Sequence, residues 1–113
     1  MSRRYWLIRS KPQPGIAAEQ ITAARESHVR WLLELERAGV VFLSGPLRSG
    51  PNVTTGSGVT VLRASTVDEA RDIAAQDPFV QAGLRTFEVF EWVLQEGSFC
   101  VHIGLGEGSC QWL

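Results

Sequence analysis

Residues 26–46, ESHVRWLLELERAGVVFLSGP, carry a helix, its stop signal and a strand in one uninterrupted run. Ile21, Ala24, His28, Trp31, Leu32, Leu35 and Ala38 recur at helical spacing. A helix repeats about every 3.6 residues, so these positions share one face, and a helix is expected from about Ala17 to Ala38. Arg37-Ala38-Gly39 ends it, because glycine takes the left-handed conformation that closes helices. Val40 to Leu43 follows as a short, wholly apolar run bounded by Ser44-Gly45-Pro46, which fits a buried strand. One residue breaks the pattern. His28 sits where a leucine is expected, and is either a satisfied core histidine or a working group aimed into a cleft.

Upstream, Arg4 to Arg9 (RYWLIR) reads as a first strand, rich in aromatic and branched residues. The two prolines and the glycine of SKPQPG are expected to break it. Downstream, LRSGPNVTTGSG (47–58) reads as a long loop, of a kind that is usually functional or mobile. Val59 to Arg63 is a third strand. Thr66-Val67-Asp68-Glu69 forms a capping box, in which Thr66 bonds the Glu69 amide and Glu69 bonds back. Val67, Ala70, Ile73 and Ala74 supply the buried stripe of a second helix, and Asp77-Pro78 ends or kinks it. Phe79 to Gly83 forms a short further turn. Thr86 to Leu94 is a fourth strand with apolar residues on both faces.

The order β-α-β-β-α-β is the ferredoxin-like split motif, an α+β fold with two helices on one face of an antiparallel sheet. Trp6, Phe42, Phe90 and Trp92 are too many large apolar groups for a solvated second face. A second copy of the sheet is the simplest cover, so a homodimer is expected. Residues 1–96 make the domain and 97–113 a C-terminal extension, either an extra strand from Phe99 to Ile103 or a dimer arm. The glycines beyond Ile103 argue against further regular structure.

Composition narrows the function classes. The 113 residues suit one domain, with 44% hydrophobic and 20% charged residues. Eleven basic and twelve acidic residues give a net charge of −1 without clusters of either sign. A nucleic-acid partner is not expected, since phosphate binding needs clustered Lys and Arg. The apolar run near the N-terminus is shorter than the roughly 7–15 residues of a signal sequence. No stretch approaches the ~20 apolar residues that cross a bilayer, so no membrane partner and a cytoplasmic location are expected. Cys100 and Cys110 are read as free thiols, and their spacing is not that of a zinc site. GLGEG (104–108) lacks the lysine of a phosphate-binding loop. Neither metal nor cofactor is expected.

The helical histidine, AGVVFLSGP (38–46), the glycine-rich stretch after it and AAQDPFVQAG (74–83) together resemble the YCII-related family, over about residues 4 to 94. The resemblance implies the dimeric α/β-barrel form of the fold. It also implies a His/Asp pair facing a cleft in each subunit, carried over to His28 and Asp77. Arg9-Ser10-Lys11 stands where the family often has an acidic residue, and Ser44 where alanine is common.

The residue types suit proton transfer. Histidine exchanges a proton near neutral pH, and a carboxylate beside it fixes its tautomer. Gly45 lets a ligand approach the backbone and the Ser44 hydroxyl can hold an oxygen, while Pro46 punctuates the strand. Lys11 and Arg48 are either binders of an anionic or phenolate oxygen or solvated surface charges. Phe79 is either a pocket wall or core. His102 alternates with apolar residues in the tail. By resemblance, the function expected is that of a small cofactor-free enzyme of aromatic catabolism. It would remove HCl from a chlorinated hydroxyhydroquinone, with Ser44 and Lys11 on ring oxygens. A muconolactone-isomerase-like proton transfer, acting on an aromatic or lactone-type substrate, and a non-catalytic small-molecule-binding dimer module are the alternatives.

Overall fold

The computed structural model describes residues 4–106 and 108–112. Strand β1 (Arg4–Pro12) leads to the long helix α1 (Ala18–Arg37), then to the paired strands β2 (Val41–Gly50) and β3 (Val53–Leu62). Helix α2 (Val67–Ala75) and the single-turn α3 (Pro78–Gln81) precede β4 (Arg85–Val93). Strands β5 (Val101–Gly104) and β6 (Ser109–Trp112) follow in the tail. The first four strands form one antiparallel sheet in the order β2-β3-β1-β4, the ferredoxin-like arrangement in an α+β fold.

Strand alternation sorts β1 onto two faces. Trp6 and Ile8 turn toward the helices and pack with Leu62, Ala70 and Ala74, with Val67, Ile73, Phe87 and Val89 around them. The alanines let α2 lie close to the sheet. Trp6 was expected on the opposite face. It lies in the core instead, because its parity is that of Ile8, and its indole N–H donates to the Ala64 carbonyl at 3.0 Å.

The second face carries Leu7, Leu43, Phe90 and Trp92, brought together by the pairings Leu7↔Phe90, Tyr5↔Trp92 and Leu43↔Val61. Phe90 and Trp92 are each 44% exposed. Phe42 stands beside them, with its ring 4.8 Å from that of Tyr5.

The segment 47–58, expected as a loop, is instead the tip of a β2–β3 hairpin. Gly50 pairs with Val53, and Pro51-Asn52 makes a two-residue turn. Asn52 adopts a φ of 61°, and proline followed by a residue of positive φ is the pattern of a type II turn. Proline also proved compatible with β1, which extends to Pro12. Pairing with β3 stops at Ser10↔Gly58, so Pro12 faces only β4. The capping box is displaced by one residue. Thr66 Oγ1 accepts from the Glu69 amide at 3.1 Å, but Glu69 accepts from the Ser65 amide.

Helix α1 ends as expected, with Gly39 at a φ of 74°. Ile21, Ala24, His28, Trp31, Leu32 and Leu35 are its covered face, yet no α1 residue is fully buried. The helix stands off the sheet rather than sealing against it. In the tail, β5 and β6 form a separate two-stranded hairpin, so regular structure continues beyond Ile103. Among the described residues, no helix is long and apolar enough to cross a membrane.

Candidate active site

The gap beneath α1 is a cleft of about 200 Å³, walled by α1, α3 and the helix-side face of the sheet. A cavity of about 150 Å³ holds a benzene ring, so a substituted six-membered ring fits.

His28 lines this cleft from the middle of α1. Its Nδ1 lies 2.7 Å from Oδ1 of Asp77. Asp77 is buried, at 7% exposure. The proline after it holds Asp77 in extended backbone, at φ −54° and ψ 123°. From there its side chain reaches both ways: Oδ1 also accepts the Phe79 amide at 2.9 Å, capping α3. A carboxylate only accepts, so with Asp77 in that form Nδ1–H is the donor, and a neutral imidazole then keeps its lone pair on Nε2. The Phe79 ring stacks on the imidazole, with centroids 4.2 Å apart and planes 23° apart. Phe79 is buried and is also part of the cleft wall.

Ser44, Gly45 and Pro46 line the mouth. Ser44 Oγ and Thr60 Oγ1 are 3.0 Å apart and share one hydrogen bond. Lys11 and Arg48 lie outside the lining. Lys11 has the parity of Leu7 and Arg9, which turns it to the other sheet face, where its ammonium is 3.3 Å from Glu88. Arg48 lies out on the β2–β3 hairpin, paired with Thr54 and exposed. His102 pairs with Gln111 in the tail hairpin and does not line the cleft.

Ser10, Trp31, Thr60 and Arg85 are lining residues not singled out for the site in the sequence. Arg85, and not Lys11, is the cation in the cleft lining. The signal was its parity with Phe87 and Val89. Starting the strand at Thr86 leaves Arg85 out of that alternation. Its Nη1 donates to Ser10 Oγ at 3.2 Å and its Nη2 to the Gly56 carbonyl at 2.6 Å. Burial holds its pKa below the ordinary arginine value, an effect the negative charge of Asp77 partly offsets.

The cleft thus combines an oriented imidazole, a hydroxyl pair, a guanidinium and two aromatic walls. It can hold a flat, oxygen-bearing ring beside a proton acceptor.

Among solved structures, the chain is similar to 5-chloro-2-hydroxyhydroquinone dehydrochlorinase (TftG) from Burkholderia phenoliruptrix AC1100, in complex with 2,5-dihydroxybenzoquinone. The match has a TM-score of 0.65 at 24% identity, over 78% of this chain and 92% of that one. At this identity the likeness establishes the fold. At3g17210 from Arabidopsis thaliana matches at a TM-score of 0.45 and 13% identity, over 84% of this chain and 98% of that one. No curated protein sequence matches the chain. The profile of the YCII-related domain matches residues 5–93. The chain belongs to the YCII-related domain family.

Proposed function

We propose that the protein is a cofactor-free acid/base enzyme that eliminates HCl from a chlorinated hydroxyhydroquinone-type substrate. The observation that carries this reading is the His28–Asp77 hydrogen bond of 2.7 Å at the wall of a ring-sized cleft. A neighbour in fold that is a dehydrochlorinase supports the reaction class.

In such a substrate a ring hydroxyl is conjugated with the carbon that bears chlorine. Tautomerisation turns that hydroxyl into a carbonyl and moves its hydrogen to the chlorine-bearing carbon. His28 Nε2 then takes the proton of a second hydroxyl, on the ring carbon two bonds from the C–Cl carbon. The O–H electron pair forms a carbonyl, the ring electrons shift, and the C–Cl bond breaks with chloride leaving on both electrons. The net change is loss of HCl, with no oxidant or reductant consumed. Asp77 keeps Nε2 as the basic nitrogen and stabilises the imidazolium that forms. The Ser44–Thr60 hydroxyl pair holds a ring oxygen, and Phe79 and Trp31 pack on the ring faces. We also propose that the protein acts as a homodimer through the open sheet face.

The test is chloride release from 5-chloro-2-hydroxyhydroquinone by the purified protein. Turnover above the uncatalysed rate is expected, with His28→Ala lowering kcat by about 10²–10⁴-fold while the circular dichroism spectrum is unchanged. Equal chloride release by the wild type and His28→Ala would sink the acid/base reading. Ring binding without any turnover would leave a binding module.

A further inference from the structure

The proposed elimination gives no part to Arg85, yet Arg85 is the cation that lines the cleft. Three observations bear on it. First, its placement is built. Ser10 Oγ and the Gly56 carbonyl hold two of its N–H groups, and its guanidinium lies 5.4 Å from the centroid of Phe79, the ring that stacks on His28. Gly56, at a φ of 77°, takes a backbone conformation that few side chains tolerate. Second, both of its protein acceptors are uncharged. No carboxylate among the described residues forms an ion pair with it, although every cation on the neighbouring strand β1 near the sheet centre is paired, Arg9 and Lys11 both to Glu88. Third, a guanidinium has five N–H groups in a planar fork, so donors remain beyond those given to Ser10 and Gly56. A half-buried cation with spare donors, whose charge Asp77 offsets only in part and without an ion-pair contact, favours an anion that shares its cavity.

We propose that Arg85 is the specificity-determining group of the cleft, taking an anionic oxygen of the ligand, so that the protein selects ionised oxygenated rings over neutral rings of the same size. The proposal rests on the reading of this cleft as the substrate site, and it adds the charge state of the substrate. The anionic oxygen can belong to a ring hydroxyl or to a carboxylate substituent, since a guanidinium fork matches either. Held this way, the ring is fixed at one oxygen by Arg85 while another hydroxyl lies toward His28. The anion also offsets the positive charge of Arg85 before the imidazole takes its proton.

The test is a binding titration of the full chain with three probes at neutral pH: 2,5-dihydroxybenzoquinone, ionised on ring oxygens; benzoate, ionised outside the ring; and hydroquinone, neutral. The wild type is expected to bind at least one anion about tenfold or more tighter than hydroquinone. Arg85→Gln should weaken that anion by roughly 10–100-fold, the range for a charge-assisted hydrogen bond, and leave hydroquinone within about twofold. Arg85→Lys keeps the charge without the fork and should recover part of the preference. Preference for the quinone assigns the anion to a ring oxygen, and preference for benzoate to a carboxylate. Either supports the proposal when it depends on Arg85.

A wild type that binds hydroquinone as well as both anions overturns the proposal whatever the variants do. So does an Arg85→Gln protein that loses all three probes equally, since that is a structural effect. The measurement requires no turnover. Anion preference without chloride release therefore upholds Arg85 and defeats the dehydrochlorinase reading, and chloride release without anion preference does the reverse.

Discussion

Asp77 Oδ1 accepts from both His28 and the Phe79 amide, so one oxygen serves the proton acceptor and the cap of α3 at once. Two substitutions separate these duties. Asp77→Asn keeps an oxygen for the Phe79 amide but loses the negative charge beside the imidazole. It should leave the melting temperature close to that of the wild type, lower kcat by tenfold or more and shift the pH profile, because the charged acceptor that holds the tautomer is gone. Asp77→Ala removes both bonds, and should add a loss of stability of about 1 kcal/mol as a lost cap. Thermal melts beside kinetics decide the matter: equal kinetics for Asn and wild type would assign Asp77 to the cap alone. His28 was legible in sequence as the one polar residue in an apolar stripe, while its pairing with Asp77 was expected only through the resemblance to the YCII-related family. Arg85 was not legible. An arginine at the start of a strand reads as a solvated end, and only the pairing of β4 with β1 carries it beneath α1, beside Ser10. Lys11 failed for the converse reason, since one step of strand parity turned it to the other face.

At the scale of elements, the helices and the order of strands were legible because each is bounded by strong local punctuation: Gly39, the Thr66 cap and Asp77-Pro78. The outer part of the β2–β3 hairpin, residues 47–58, was not, since it is rich in glycine, serine and threonine and has no apolar alternation to find. Main-chain pairing and the Pro51-Asn52 turn hold it instead. Strand β1 and the edge strand β4 also share charge pairs that sequence spacing cannot reveal. Arg9 Nη2 lies 2.8 Å from Glu88 across the β1–β4 ladder, and Lys11 adds a second contact. The Arg9 hydrogen bond first, and then Lys11, hold the Glu88 carboxyl below the usual carboxylate range. A carboxyl depressed in the fold contributes stability above its unfolded pKa of about 4.3, and that contribution is lost as pH falls through its lower folded value. Glu88→Gln should therefore melt below the wild type near pH 7, and the two should converge in acid below the carboxylate range. The gap should also shrink in high salt, because the pair is exposed. A gap that widened in acid would refute the assignment.

The whole molecule exposes more surface than its size warrants. Its accessible area is 8047 Å², whereas a compact monomer of 12.5 kDa exposes about 6,200 Å². Its radius of gyration of 15.8 Å likewise exceeds the roughly 13 Å expected for this chain length. Two exposed apolar features contribute to the excess. One is the open sheet face with Phe90 and Trp92. The other is the β5–β6 hairpin, where Val101, Ile103 and Leu105 are 49%, 67% and 92% exposed. The two adjoin: Phe99, at the root of the hairpin, packs 5.8 Å from Phe42, next to the open face. A lone two-stranded hairpin is marginal in water, and none of its described residues belongs to the core cluster around Trp6. The excess area is well above the ~800 Å² that each partner gives to a standard interface. A homodimer that covers the face and clasps the hairpin removes both anomalies. Light scattering at micromolar concentration should then give twice the chain mass. Phe90→Glu should give a folded monomer or a much weaker dimer. Ending the chain at Glu96 should leave the circular dichroism of the four-stranded body intact while weakening dimerisation by about tenfold or more. A full-length chain that scatters as a monomer would defeat the dimer. A truncated chain that dimerises as tightly as the full one would confine the interface to the sheet.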